Sequence, residues 1–313
     1  MNPFPENFTI VYMGTPEISA TVLEALLKEG YPIKALIANP DKPVGRKHEL
    51  KPVPTKEVAL RYGLKVFQPI KIREDYEFLK ELKPDLVLTM AYGQIVPQGV
   101  LDIPSLGCLN LHGSLLPKLR GAAPIQRAIS SGEEFTGVTL MEMVDKMDAG
   151  RMYGSVEVKI QDDDDYGSLS QKIAKAAIGL TLDALPLYVK GLLSGVAQNE
   201  EEVTIAKKIK PEDEHLSLAM GTKEFCLYCR ALSPEPGAYL LVNEEKLKIL
   251  FAAKEDEEVT SPLGTLSFTK KKALLQLKDG HVSLVAIIPA GKKKMDGAAF
   301  ANGYRKWEGV ILN

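Results

Sequence analysis

The chain is poor in the features that build secreted or membrane proteins. It has only three cysteines, Cys108, Cys226 and Cys229. A sparse and odd count excludes a disulfide framework and suits a reducing compartment, so a cytoplasmic location is expected. No run of about 18 apolar residues occurs, which leaves no membrane span to expect. The opening MNPFPENFTIVYMG lacks both a basic start and an apolar block, so no signal peptide is expected. Neither sign of charge dominates: 39 Lys and Arg stand against 41 Asp and Glu, a formal net charge of −2. That balance excludes a uniformly basic nucleic-acid coat while leaving room for local basic patches. The glycine-rich dinucleotide signature is also missing. After the first expected strand, GTPE carries one glycine, with Pro16 following Thr15, and this argues against NAD binding.

What is present is an ordinary globular composition, 45% hydrophobic and 26% charged over 313 residues, a length that suggests two domains. Residues 8–13 read as a strand. In GTPE, Gly14 permits a turn, Thr15 is a cap, Pro16 suits a first helical position and Glu17 complements the helix dipole. A helix to residue 28 and a strand over 32–38 complete a βαβ unit, which implies a parallel sheet. Further strands are expected over 65–67, 85–90, 108–112, 138–143 and 152–160. Helices are expected over 56–62, 74–82, 125–131 and 166–190. The fold class is therefore α/β, a doubly wound and mostly parallel sheet. The acidic run Asp162–Asp165 reads as the solvated start of the last helix. A charged linker, NEEEVTIAKKIKPEDE, then leads to a helix over 223–231 and to short strands near 238–242, 246–253, 264–268, 273–277 and 282–288. Their spacing suggests a small barrel or sandwich, and a barrel bearing the chain's basic clusters would fit an OB-like fold. The domains are expected to span 1–205 and 206–313.

The chemistry concentrates at the end of the strand CLNLH. Asn110 and His112 alternate with Leu109 and Leu111, so their side chains point the same way, about 6–7 Å apart. Open α/β sheets hold ligands at the carboxyl ends of their strands. An amide and an imidazole converging there suit a carbonyl and its proton. On the residues alone, the pair also fits a core histidine beside a turn former. Asp148, in MDAGRM between two strands, reads equally as a turn residue.

These stretches together resemble the folate-dependent formyltransferase superfamily. The resemblance rests on NLHGSLLPKLRGAAPIQRAI with the later MDAGRM. The segments VYMGTPE, PDKPVGR, AYGQIVP and PAGKKKM narrow it to the branch whose acceptor is methionyl initiator tRNA, over nearly the whole chain. The resemblance implies transfer of a formyl group from 10-formyltetrahydrofolate to the amino group of that tRNA, with Asn110, His112 and Asp148 as the catalytic set and no metal. Donors preorganised at the formyl oxygen stabilise the charge that develops there. It implies folate contacts from Ser114, Leu115, Leu116 and Pro117, and from Met90, Tyr92, Gly93 and Ile95. It further implies that the loop 40–54, with Lys42, Arg46 and Lys47, enters the acceptor-stem region. Lys207, Lys208, Lys292 and Lys293 on the barrel would meet the tRNA backbone. By composition alone those basic runs are also ordinary solvated faces. A monomer is expected.

Two stretches depart from the family pattern. HLS at 215–217 replaces an Ile-Asp-Trp-like stretch, and SPEPGAY, with Glu235, replaces an Asn-Pro-Trp-Pro segment. Cys226 and Cys229 form a lone C-x-x-C, too few ligands for zinc, and are expected to pack on a helix. Trp307 is expected to be a packing residue.

Overall fold

The computed structural model describes residues 3–44, 49–255 and 261–313. Two compact units emerge. One comprises residues 1–124, 135–159 and 170–206, and the other residues 125–134, 160–169 and 207–313.

The first unit is built on a seven-stranded sheet. Its strands are β1 (Ile10–Gly14), β2 (Ile33–Ile37), β3 (Lys65–Phe67), β4 (Leu86–Met90), β5 (Cys108–His112), β6 (Phe135–Glu142) and β7 (Met152–Lys159). Their spatial order is β7-β6-β5-β4-β1-β2-β3. The five from β3 to β5 run parallel, β6 runs antiparallel to β5, and β7 antiparallel to β6. Strands β1 and β4 are buried along their whole length, as apolar runs covered on both faces must be. The chain steps from β1 to β2 and β3 on one side, then returns to β4 and β5 on the other. The reversal falls between β1 and β4, and open sheets of this kind hold their ligands in a crevice at the carboxyl ends of the strands there.

Three loops are tied together there. Thr15 does not cap the following helix, whose N-cap is Pro16 with no side-chain bond. Its hydroxyl instead donates to the Tyr92 carbonyl at 3.1 Å and accepts from Asn39 N at 3.1 Å. The Asn39 amide also donates to the Tyr92 carbonyl, at 2.6 Å, and its oxygen accepts from Gln94 at 2.8 Å. A proline at the N-cap offers no side-chain acceptor, and the neighbouring loop claims the threonine.

Two other expectations give way to structure. Part of the polar loop 40–54 is paired, Lys42–Val44 running antiparallel to Glu49–Lys51. Glu49, Leu50 and Lys51 are all exposed, so no apolar alternation announces the strand. The charged linker is also paired: Ile205–Ala206 runs parallel to Arg120–Gly121. Backbone pairing between such short segments leaves no pattern in side-chain polarity.

In the second unit, β8 (Tyr239–Val242), β9 (Glu245–Lys254), β10 (Leu266–Phe268), β11 (Ala273–Leu277) and β12 (Gly280–Pro289) form an antiparallel sheet. Its order is β8-β9-β12-β11-β10, with Met295–Asp296 added to β12. Register breaks between β9 and β12 bend these long strands, which curls the sheet into a half-barrel of the OB-like kind. Phe225 from the helix Thr222–Ala231, Phe300 and Trp307 fill its core. His215, in one of the departing stretches, stacks on Tyr239 at 5.1 Å, and Lys246 lies over the same ring. The acidic run is only partly solvated. Asp164 is buried and accepts from Gln161 N and Ser168 Oγ, while Asp165 Oδ1 accepts from Ser168 N in a capping arrangement.

Candidate active site

Strand β5 carries Asn110 and His112 to the carboxyl edge of the sheet. Thr89 of β4 lies beside Asn110 on the parallel side, and Met141 and Thr139 of β6 lie beside Asn110 and His112 on the other. Asn110 is half-buried, and its carboxamide has no hydrogen-bond partner among the described residues. The amide is therefore free to bind something from outside.

His112 is 5% exposed and oriented from both ends of its ring. Its Nε2 lies 2.9 Å from the Leu119 carbonyl oxygen. A carbonyl only accepts, so Nε2 carries hydrogen and Nδ1 is the nitrogen turned to Asp148. The Nδ1 to Asp148 Oδ2 distance is 3.6 Å, an electrostatic contact beyond ordinary hydrogen-bond length. The same carboxylate oxygen accepts from Gly121 N at 2.8 Å. Asp148 adopts φ 49°, a left-handed conformation that aspartate tolerates better than most side chains. Thus the structure brings Asp148 to His112, and Asn110 stands two residues before His112 on the same strand.

The SLLP turn is held from within. Ser114 is buried, and its hydroxyl donates to the Lys118 carbonyl at 2.7 Å. Thr139 Oγ1 donates to the Ser114 carbonyl and accepts from Leu116 N. Leu116 is buried before a cis Pro117. Leu115 packs on Gly137, where an added Cβ would fall 2.5 Å from Leu115 Cδ2. The segment thus shapes the edge of the crevice mainly through backbone, with Pro117 half-buried at its end.

Past β4, Met90 and Tyr92 are buried, Gly93 has φ 89°, and Ile95 is 77% exposed. The hydroxyls of Thr89 and Tyr92 are buried without a partner among the described residues. Burial pushes the Tyr92 phenol up, so it remains a neutral donor. Lys42 is exposed, while Arg46 and Lys47 lie outside the described residues. On the second unit Lys207, Lys208, Lys292 and Lys293 are all exposed. Cys226 and Cys229 lie on the helix Thr222–Ala231, and burial pushes the Cys226 thiol to about 11 and that of Cys229 well up, which favours the neutral thiol at both.

Residues that sequence reasoning missed surround Asp148. Gln198 Nε2 donates to the carbonyls of Asp148 and Gly150, both at 2.8 Å. Arg120, 3% exposed, donates to Gln198 Oε1 at 2.9 Å and pairs with Glu200 at 2.8 Å. The only hint in the sequence is an arginine directly before a glycine in LRGAAP. Far from all these residues in the chain, a cavity of about 300 Å³ lies against the helices Glu17–Lys28 and Pro54–Arg61, and no residue named above as a site candidate lines it.

Similarity to known proteins points the same way. The profile of the Formyl transferase family matches residues 6–185, and that of the formyl transferase C-terminal domain matches residues 208–305. A methionyl-tRNA formyltransferase of Bacillus subtilis is 41% identical over 307 residues, 97% of either chain. One from Ligilactobacillus salivarius is 41% identical over 299 residues, 94% of either chain. Among solved structures, HypX from Aquifex aeolicus in complex with tetrahydrofolic acid superposes with a TM-score of 0.67 at 18% identity, over 95% of this chain and 47% of that one. An N-formyltransferase from Helicobacter canadensis, in complex with folinic acid and dTDP-3-aminofucose, gives 0.66 at 19% identity over 92% of this chain and 100% of that one. At those identities the two structures establish the shared fold.

Proposed function

The chain belongs to the formyl transferase family and transfers the formyl group of 10-formyltetrahydrofolate to the amino group of methionyl-tRNA; we propose that Asn110, His112 and Asp148 perform the transfer. The observation that carries this reading is the unpartnered Asn110 carboxamide on the strand face of a histidine already aligned with a carboxylate.

The amine nitrogen attacks the formyl carbon, the bond from that carbon to the folate nitrogen breaks, and one proton passes from the amine to that nitrogen. Asn110 donates to the formyl oxygen as negative charge grows there, an interaction stronger in the transition state than in the ground state. His112 takes up and returns the proton at Nδ1, because Nε2 is committed to the Leu119 carbonyl. The Asp148 carboxylate stabilises the imidazolium while it exists. Nothing in this scheme needs a covalent enzyme intermediate.

The residues present fit a folate co-substrate. The crevice edge offers Ile95 as exposed apolar surface for a ring system. Ser114, Leu115, Leu116, Pro117, Met90 and Gly93 would contribute as the frame of that edge. We assign residues 1–205 to catalysis and 206–313 to gripping the tRNA, through Lys207, Lys208, Lys292 and Lys293, with Lys42, Arg46 and Lys47 serving the acceptor end. The initiator tRNA is the acceptor in this reading, and a single copy of the chain acts in the cytoplasm.

The test is transfer of labelled formyl from 10-formyltetrahydrofolate to charged initiator tRNA, with uncharged tRNA, glycinamide ribonucleotide and an amino sugar nucleotide as controls. Label on the charged tRNA alone is the expected result. Label on either small acceptor at a comparable rate would reject the assignment of the acceptor.

A further inference from the structure

We propose that Gln198 is a positioning residue for formyl transfer: its amide locks the turn carrying Asp148 so that the carboxylate faces His112, and Arg120 locks Gln198. This rests on the catalytic reading of His112 and Asp148 above.

Every polar atom of the Gln198 side chain is committed. Arginine only donates, so the oxygen must face Arg120 and the NH2 group must face the two carbonyls. Both amide hydrogens are spent on one short turn, at the Asp148 carbonyl and at the Gly150 carbonyl two residues on. That turn needs holding, because Asp148 sits in the left-handed region.

Arg120 is itself fixed. Its guanidinium is buried and pairs with Glu200, whose carboxyl Arg120 and Lys146 hold down at about 2. Lys146, two residues before Asp148, contacts Glu200 at 2.7 Å. The turn is therefore tied at both ends to the segment 198–200. That segment continues to His112 through the backbone. Thr204 accepts from Leu119 N through its hydroxyl and from Arg120 N through its carbonyl, each at 2.9 Å. Leu119 then holds His112 Nε2, and Gly121 N holds Asp148 Oδ2. What the composition presents as a charged linker reaches each of the two side chains through a single intermediary. A simple staple would have no reason to converge on that pair.

Two substitutions test this. Gln198→Glu keeps an acceptor for Arg120 but sets an oxygen against two carbonyls, and Gln198→Met removes all three bonds at similar volume. Gln198 is half-buried, so both variants should fold. With saturating methionyl-tRNA and 10-formyltetrahydrofolate, kcat should fall about 10-fold to 100-fold in each, the scale of a displaced catalytic group. KM for either substrate should stay within about twofold, and the melting temperature near that of the parent. Placed on Asp148→Asn, Gln198→Met should cost about twofold or less, because the group it positions has already lost its charge. Parent-like kcat in both single variants, a loss confined to KM, or losses that multiply in the double variant would each overturn the proposal. His112→Ala and Asp148→Asn run alongside. If they retain parent kcat, the catalytic reading itself fails; if they lose it while the Gln198 variants do not, only the positioning role fails.

Discussion

Asp148→Asn is the sharpest single perturbation of the site, because it removes a charge while preserving shape. An asparagine oxygen still accepts from Gly121 N, now at 2.8 Å from the carboxylate, so the turn keeps its anchor. What is lost is the attraction between a carboxylate and the imidazolium formed when His112 takes up the proton. At 3.6 Å that attraction is about 1 kcal/mol at the dielectric of water and about 5 kcal/mol at an effective dielectric near 20. His112 is 5% exposed and Asp148 15%, which places the pair towards the second value. Each 1.36 kcal/mol is worth about tenfold in rate, so kcat should fall between about 5-fold and about 5,000-fold, in the upper part of that span. The charge appears only during reaction, so KM for both substrates should hardly move. Single-turnover formylation with excess enzyme measures the step without product release. A variant within twofold of the parent, or a loss lying wholly in KM, would refute the electrostatic role.

Other outcomes follow from the same geometry. Asn110→Ala should lower kcat by about 10²–10³-fold, the cost of one preorganised donor, with the fold intact because the carboxamide has no partner among the described residues to lose; denaturation midpoints and kinetics together check this. Arg46→Ala should weaken use of methionyl-tRNA and leave folate affinity unchanged, and equal losses in both would reject the loop assignment. Affinity for tRNA should fall steeply with added salt, and replacing Lys292 and Lys293 should flatten the slope; a flat parent series contradicts the basic patch. Asp41 supplies a pH test of stability. Burial would raise its carboxyl, but Lys56, Gln68 and Val53 N hold it below the ordinary range. Its folded pKa is depressed, so its contribution is complete above the ordinary value of 3.8 and disappears as pH falls through and below it. Chemical denaturation should show Asp41→Asn losing less stability than the parent across that window, and parallel curves would reject it.

The sequence was informative wherever side-chain chemistry and burial coincide. Strands β1, β4 and the start of β5 were readable because parallel strands covered on both faces are largely apolar. Asn110 and His112 were readable because polar groups interrupt such a run at its carboxyl end. The pairings of Lys42–Val44 with Glu49–Lys51 and of Ile205–Ala206 with Arg120–Gly121 were not, because backbone hydrogen bonds between short or exposed segments are indifferent to side-chain polarity. Thr15 illustrates the same limit. Its position before a helix suggested a cap, yet a tertiary partner, the Tyr92 carbonyl, took the hydroxyl. Gln198 and Glu200 sit in a stretch whose composition signals only solvation, and their roles arise from what arrives opposite them in space.

The register of β5 and β6 explains why the Asp148 turn needs outside support. His112 pairs with Thr139 in the middle of β6, whereas Glu142, at its end, pairs with Leu109. The connection from β6 to β7 therefore begins three residues behind His112, about 10 Å back along the sheet. A tight hairpin there would leave Asp148 at the wrong end of β5. Instead the connection doubles forward until Asp148 reaches Nδ1 of His112, a path with no ladder of its own and a left-handed residue at its tip. Such a turn lacks the buried apolar contacts that fix a strand, so its position depends on polar ties. Those ties come from Gly121, Gln198 and Glu200. Two of the three belong to the segment following the last helix of the sheet unit. Loosening that segment should therefore lower the rate of reaction before it lowers the stability of the sheet.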